Sequence, residues 1–150
     1  MIIRRFFTGW PAGVCRRCQE VAEEMPDNHV NFCVAIVDDD PQLVKVYQHL
    51  FSHRKIPVSF VAYDGFAALE MFRNANPRPL ILIIDYRMPG MNGIELMKEI
   101  LRMAPGTKII IISADDSVRL DTLKAGASAF LNKPAGIREI MESIGSLPGN

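Results

Sequence analysis

The chain has 150 residues with 17 basic and 17 acidic side chains, 49% hydrophobic and 23% charged, one domain's worth of sequence able to bury roughly two thirds of its unfolded surface. Balanced charge and a pI near 6.8 remove the electrostatic argument for nucleic acid or an anionic membrane. Apolar runs of strand length only, such as Leu80 to Ile84 and Ile109 to Ile112, argue against a bilayer span.

Three cysteines do not make a disulfide scaffold. Arg4 and Arg5 are followed by no apolar h-region and cleavage site, so no secretory signal is read, and a cytoplasmic protein is expected. Residues 1–30 read as an extension, 31–147 as the body and 148–150 as a tail. Up to Gln19 the extension carries four arginines and no acid; then Glu20, Glu23, Glu24 and Asp27 follow. Cys15 and Cys18 form a C-x-x-C that, with His29 and Cys33, can be written as a zinc set. Compact knuckle spacing is missing, and Cys33 falls where a buried strand begins. A thioredoxin-like redox motif would need a preceding strand. Val14, Val21, Ala22 and Met25 suit a short helix over 15–25, and a flexible appendage is the default expectation.

From Asn31 onward, strand-like runs alternate with helix-period segments. Phe32 to Val37 is wholly apolar, as suits a strand covered on both faces. It breaks at Asp38-Asp39-Asp40-Pro41, where Asp40 suits a helix cap and Pro41 the first helical position. Leu43, Val46, Tyr47, Leu50 and Phe51 recur at helical spacing. Val58 to Ala62 is a second strand, and Asp64-Gly65 opens a helix bearing Ala68, Leu69 and Phe72. Leu80 to Ile84 is a third strand, stopped by Asp85. Pro89-Gly90 and Asn92-Gly93 make a turn into the helix of Ile94, Leu96, Met97, Ile100 and Leu101. Ile109 to Ile112 is a fourth strand ending at Ser113, and a helix from about Ser117 to Lys124 stops before Gly126. Ala127 to Leu131 is a fifth strand, and a last helix covers roughly Gly136 to Ser146. Five βα units imply an α/β fold, a doubly wound parallel sheet with helices on both faces.

In such sheets ligands gather at the carboxyl ends of the strands. Asp38, Asp39, Asp85, Ser113 and Lys133 should therefore share one rim. Each alone has an ordinary explanation as a cap, turn or solvated loop residue; their recurrence at successive strand ends makes a site. Three converging carboxylates repel by about 4 kcal/mol per contacting pair at an effective dielectric of 20, so a cation is required. Hard oxygen ligands favour Mg²⁺. A carboxylate nucleophile, a divalent metal, an ammonium and a hydroxyl together suit phosphoryl transfer.

These residues resemble the receiver domain of two-component response regulators. The resemblance rests on Val37-Asp38-Asp39, on Ile84-Asp85-Tyr86-Arg87-Met88-Pro89-Gly90-Met91-Asn92-Gly93, on Ile112-Ser113-Ala114 and on Lys133-Pro134. Gly126-Ala127 and Phe130 also match. It covers Phe32 to Ser146 and implies the flavodoxin-like (βα)5 fold with strand order 2-1-3-4-5. It also implies that Asp85 accepts a phosphoryl group from a sensor histidine kinase or phosphotransfer protein. Asp39, Asp85 and the Arg87 carbonyl would bind Mg²⁺, Asp38 acting largely through water. Ser113 and Lys133 would contact the phosphoryl oxygens, and the Lys133–Pro134 bond is expected to be cis. The protein is then a phosphoacceptor with its own phosphorylation and autodephosphorylation chemistry rather than an enzyme.

The switch expected is a movement of Ser113 toward the phosphoryl group and of Phe130 inward, changing the face of the fourth helix, fifth strand and last helix. Lacking a hydroxyl, Phe130 must switch on packing. Arg87 and Asp115 should face each other across the path of the hydrolytic water and tune the phosphoryl lifetime. Ala135 stands where a phenylalanine is common in the family, so a looser contact between that loop and the last helix is expected. His49 and His53, one turn apart, read as a solvated helix face before a metal pair.

Since no segment long enough for an output domain follows Ser146, a stand-alone regulator with a downstream protein target is expected, with no direct nucleic acid or membrane partner. Homodimerisation is left open. Two alternatives stand: a receiver-like module working without phosphorylation, and a small phosphatase resembling the haloacid dehalogenases. The latter needs acids beyond Lys133, where only Glu139 and Glu142 occur, and leaves Asp85 without a role.

Overall fold

The computed structural model describes residues 32–76 and 78–145. The C-x-x-C, His29, the helix expected over 15–25 and the tail lie outside the described residues. In chain order the elements are β1 (Val34–Val37), α1 (Pro41–His53), β2 (Val58–Ala62), α2 (Gly65–Asn74), β3 (Ile81–Asp85), α3 (Gly93–Met103) and β4 (Lys108–Ser113). A 3-10 turn (Asp116–Val118), α4 (Arg119–Lys124), β5 (Ala129–Asn132) and α5 (Ile137–Gly145) complete them. The strands form one parallel sheet in the order β2-β1-β3-β4-β5, the flavodoxin-like order expected.

Alternation along the strands divides the core in two. Leu82 and Ile84 of β3 pack with Ala68, Leu69 and Phe72 of α2 and Leu96, Met97 and Ile100 of α3. Ile81 and Ile83 pack on the other side with Val44, Tyr47 and Phe51 of α1 and Ile140 and Ile144 of α5. Full burial of each Val, Leu, Ile, Met or Phe side chain among them contributes roughly 1.5–3 kcal/mol. Ala135 joins the second cluster, so the loop after β5 packs inward despite its small residue. Cys33 is buried at the foot of β1.

Local signals start the helices where expected. Asp40 Oδ1 accepts from the Gln42 and Leu43 N–H groups, at 2.9 and 3.4 Å, with Pro41 at the first turn. Asp64 Oδ1 accepts from Ala67 N–H at 2.7 Å. Asn92 and Glu95 cap α3 reciprocally, at 3.0 and 2.9 Å. Each cap contributes about 1 kcal/mol.

The strand limits differ where ladder partners, not apolar runs, set them. β1 begins at Val34, which pairs with Val58 and Ile81, rather than at Phe32. β3 starts at Ile81 and takes in Asp85, paired with Ile112. β4 reaches from Lys108 to Ser113 because Ser113 pairs with Asn132. β5 starts at Ala129 rather than Ala127, whose N–H is used by Thr122 O at 3.2 Å. The helix expected over Ser117 to Lys124 is a 3-10 turn followed by a six-residue α4. Asp115 caps that turn through Ser117 N–H.

Close packing beneath the site makes one glycine indispensable. A Cβ on Gly93 would lie 2.8 Å from Asp85 O and 3.0 Å from Tyr86 Cα, both backbone atoms with little room to give. Gly93→Ala is expected to cost roughly 1–3 kcal/mol in urea denaturation, whereas Gly106→Ala, whose Cβ meets nothing within 4 Å, should be tolerated. Equal stability of the two variants would contradict this packing argument.

Candidate functional site

β1, β3, β4 and β5 all end at the same rim. Asp38 follows β1 and is held by its N–H to Ala62 O at 3.1 Å. The residue is 3% exposed; Oδ1 accepts from Asp40 N–H at 2.9 Å and Oδ2 from Lys133 Nζ at 3.1 Å. Asp85, the last residue of β3, is 5% exposed, and its Oδ1 lies 2.9 Å from the same Nζ. Asp39 is exposed. Asp38, Asp39 and Asp85 each bring a carboxylate oxygen within 4.8 Å of the others.

Lys133 follows β5 directly. Its backbone N–H donates to Ser113 O at 2.9 Å, and the Lys133–Pro134 bond is cis. Ser113 closes β4, 1% exposed, its Oγ accepting from Asp115 N–H at 3.1 Å. Arg87 Nη2 and Asp115 Oδ2 are 2.7 Å apart, the pairing expected from their positions. Phe130 is buried among the residues packed by α2 and α3. The expected residues are thus at one rim, save that Phe130 packs in the core face of α2 and α3 and the Arg87 side chain is taken up by Asp115.

Electrostatics explains the local tension. Burial is the main force raising the Asp85 carboxyl, and Asp38 and Asp39 add to it; Lys133 opposes them, and the pKa is pushed up to about 6. Burial works against the Lys133 ammonium, but the hydrogen bond and charge of Asp85 and the charge of Asp38 prevail, leaving its pKa above the ordinary value. Asp115 is held low by hydrogen bonds from Ser117 and then Arg87. One ammonium thus serves two buried carboxylates, with the exposed Asp39 carboxylate alongside them. A hard divalent cation fits this all-oxygen donor set, and Mg²⁺ suits it because it binds through few carboxylates and keeps its waters.

The profile of the response regulator receiver domain matches residues 34–145. The chain belongs to this family. The receiver is 32% identical over 113 residues to "Chemotaxis protein CheY" of Thermotoga maritima, covering 74% of this chain and 92% of that protein. It is 32% identical over 116 residues to "Response regulator MprA" of Mycobacterium ulcerans, covering 76% of this chain but only 49% of that protein. Among solved structures it resembles the CheX–CheY–BeF3–Mg²⁺ complex of Borrelia burgdorferi, with a TM-score of 0.71 and 30% identity over 75% of this chain and 86% of the other. Among the described residues no helix is long and apolar enough to cross a membrane. Glu139 and Glu142, the acids a phosphatase reading would need, are exposed on α5.

Two side chains near the site carried no functional signal in the sequence. Tyr47 looked like one more apolar position of α1; it is 2% exposed and lies in the field of Lys133, Asp38 and Asp85, with burial the main cause of its raised pKa. Arg119 stacks on the Phe130 ring, 4.7 Å from its centroid, a contact between elements that spacing along one helix does not reveal.

The raised Asp85 pKa sets a pH dependence. The folded receiver holds this proton more tightly than the unfolded chain, so the stability it gives is fully present below about 3.8 and lost as pH rises through about 6. In EDTA, stability should fall by on the order of 2 kcal/mol from this group between about pH 4 and pH 7. Asp85→Asn should flatten that profile in urea denaturation, and added Mg²⁺ should restore wild-type stability at neutral pH. Parallel profiles for the two proteins would contradict the assignment.

Proposed function

We propose that this receiver accepts a phosphoryl group on Asp85 from a phosphohistidine of a partner kinase or phosphotransfer protein. The observation that carries the reading is Lys133 Nζ bridging Asp38 and Asp85, at 3.1 and 2.9 Å, with the Asp39 carboxylate alongside. An Asp85 oxygen attacks phosphorus; the P–O bond forms as the P–N bond breaks, and the imidazole of the donor leaves with the electron pair. Lys133 exchanges part of its contact with Asp85 for the arriving phosphoryl oxygens, and the Ser113 hydroxyl donates to another. Positioning and charge neutralisation are the whole of the protein's contribution. Mg²⁺, held by Asp39 and Asp85 with the Arg87 carbonyl and with Asp38 acting through water, would supply the remaining positive charge.

Hydrolysis needs a water in line with the Asp85–phosphorus bond. The Arg87–Asp115 pair stands beside that approach and restrains it, being an exposed pair worth little in stability. The downstream signal is a Ser113- and Phe130-linked change on the face of α4, β5 and α5, read by a target protein in the cytoplasm. The phosphoryl group is accepted on, and lost from, the receiver's own Asp85, which makes it a regulator rather than an enzyme.

Incubation with acetyl phosphate and Mg²⁺, followed by intact mass, should add one phosphoryl group to wild type and none to Asp85→Asn. Absence of the adduct in both, with the fold intact, would favour a module working without phosphorylation; phosphate release surviving loss of Asp85 would favour a hydrolase. Once phosphorylated, Arg87→Ala and Asp115→Ala should alter the phosphoryl half-life severalfold while leaving the thermal midpoint within a few degrees. Unchanged half-lives would remove the pair from the mechanism.

A further inference from the structure

Phe130 is 5% exposed and packs inside the core face built by α2 and α3. A phenylalanine has no hydroxyl with which to fix an inward or an outward position. Here the fixing group comes from α4. The Arg119 guanidinium carbon lies 4.7 Å from the ring centroid, within cation–π range. Its Nη1 reaches the Phe130 carbonyl at 3.4 Å, and its Nε donates to Asp116 Oδ1 at 2.8 Å. Arg119 first and then the Asn132 side chain, at the end of β5 beside Lys133, hold the Asp116 carboxyl below the usual carboxylate range. One side chain therefore ties the aromatic ring, the β5 backbone and the 3-10 turn that follows Ser113.

The segment so tied is weakly determined by its own backbone. It is a 3-10 turn followed by a helix of six residues, and Thr122 Oγ1 within that helix is buried without a hydrogen-bond partner. A short helix with an unmet buried hydroxyl gains little from staying in place, so an outside contact has leverage over it.

We propose that Arg119 is a positioning residue that latches Phe130 inward and thereby favours phosphoryl acceptance at Asp85. This rests on the phosphoacceptor reading above. If movement of Ser113 toward the phosphoryl oxygens and inward packing of Phe130 belong to one state, any contact favouring the inward ring strengthens phosphoryl binding by up to the same factor, by linkage. Arg119 acts only through the ring and the turn, since it contacts no group at the charged centre.

The test titrates the full-length protein with beryllofluoride in excess Mg²⁺ by calorimetry, for wild type, Arg119→Gln, Arg119→Lys, Phe130→Leu and the Arg119→Gln/Phe130→Leu double variant. A cation–π contact of this exposure corresponds to roughly a two- to fivefold weaker beryllofluoride affinity in Arg119→Gln. Arg119→Lys, which keeps the cation over the ring, should recover most of it, and on the Phe130→Leu background Arg119→Gln should have no further effect. Unchanged affinity in Arg119→Gln would overturn the latch, as would an equal loss with and without the ring, which would show a charge effect independent of Phe130. Wild type that binds no beryllofluoride would overturn the phosphoacceptor reading itself, and the latch with it.

Discussion

Everything at the rim depends on one shared ammonium. Asp38 and Asp85 are nearly buried and both accept from Lys133 Nζ, an arrangement that neither carboxylate could sustain alone in so dry a place. Lys133 is held there by the backbone bond from its own N–H to Ser113 O, so the strand pairing of β4 with β5 delivers the charge that β1 and β3 require. The balance is incomplete: Asp39 adds a third carboxylate, and Asp85 answers with a raised pKa. That residual negative charge favours a divalent cation at the rim, and the proposed phosphoryl acceptance at Asp85 rests on it.

The two sides of this rim are built differently. The β1–β3 side is rigid: Gly93 packs its backbone against Asp85 and Tyr86, and a reciprocal cap locks the start of α3. Across the sheet, the segment from Ser113 to Lys124 is held by side-chain bonds of Asp115, Asp116 and Arg119 more than by regular helix. A phosphoryl group arriving between the two would find a fixed acceptor and a movable surround. The switch proposed above would use that asymmetry, the side held mainly by side-chain bonds being the one free to rearrange.

Much of this was legible before folding. Apolar runs separated by helix-period segments specify a doubly wound sheet because right-handed crossovers leave few alternatives. The strand-end rule then places Asp38, Asp39, Asp85, Ser113 and Lys133 on one rim without any distance being known. Even the Arg87–Asp115 pair followed from two residues standing equally far past their strand ends. Strand limits were less legible: Asp85 and Ser113 looked like residues beyond their strands, but belong to them because their partners Ile112 and Asn132 continue the ladders.

The sequence by itself determined the fold class, the strand order through its family resemblance, and the identity of the acidic, hydroxyl and ammonium groups, because these follow from periodicity and motif along the chain. Only the tertiary structure decided how the charge is shared. That Lys133 serves Asp38 and Asp85 together, that Tyr47 lies in their field, and that Arg119 covers Phe130 are facts of packing between elements. Each brings together residues from separate elements, and no pattern within one element encodes a contact made across the sheet.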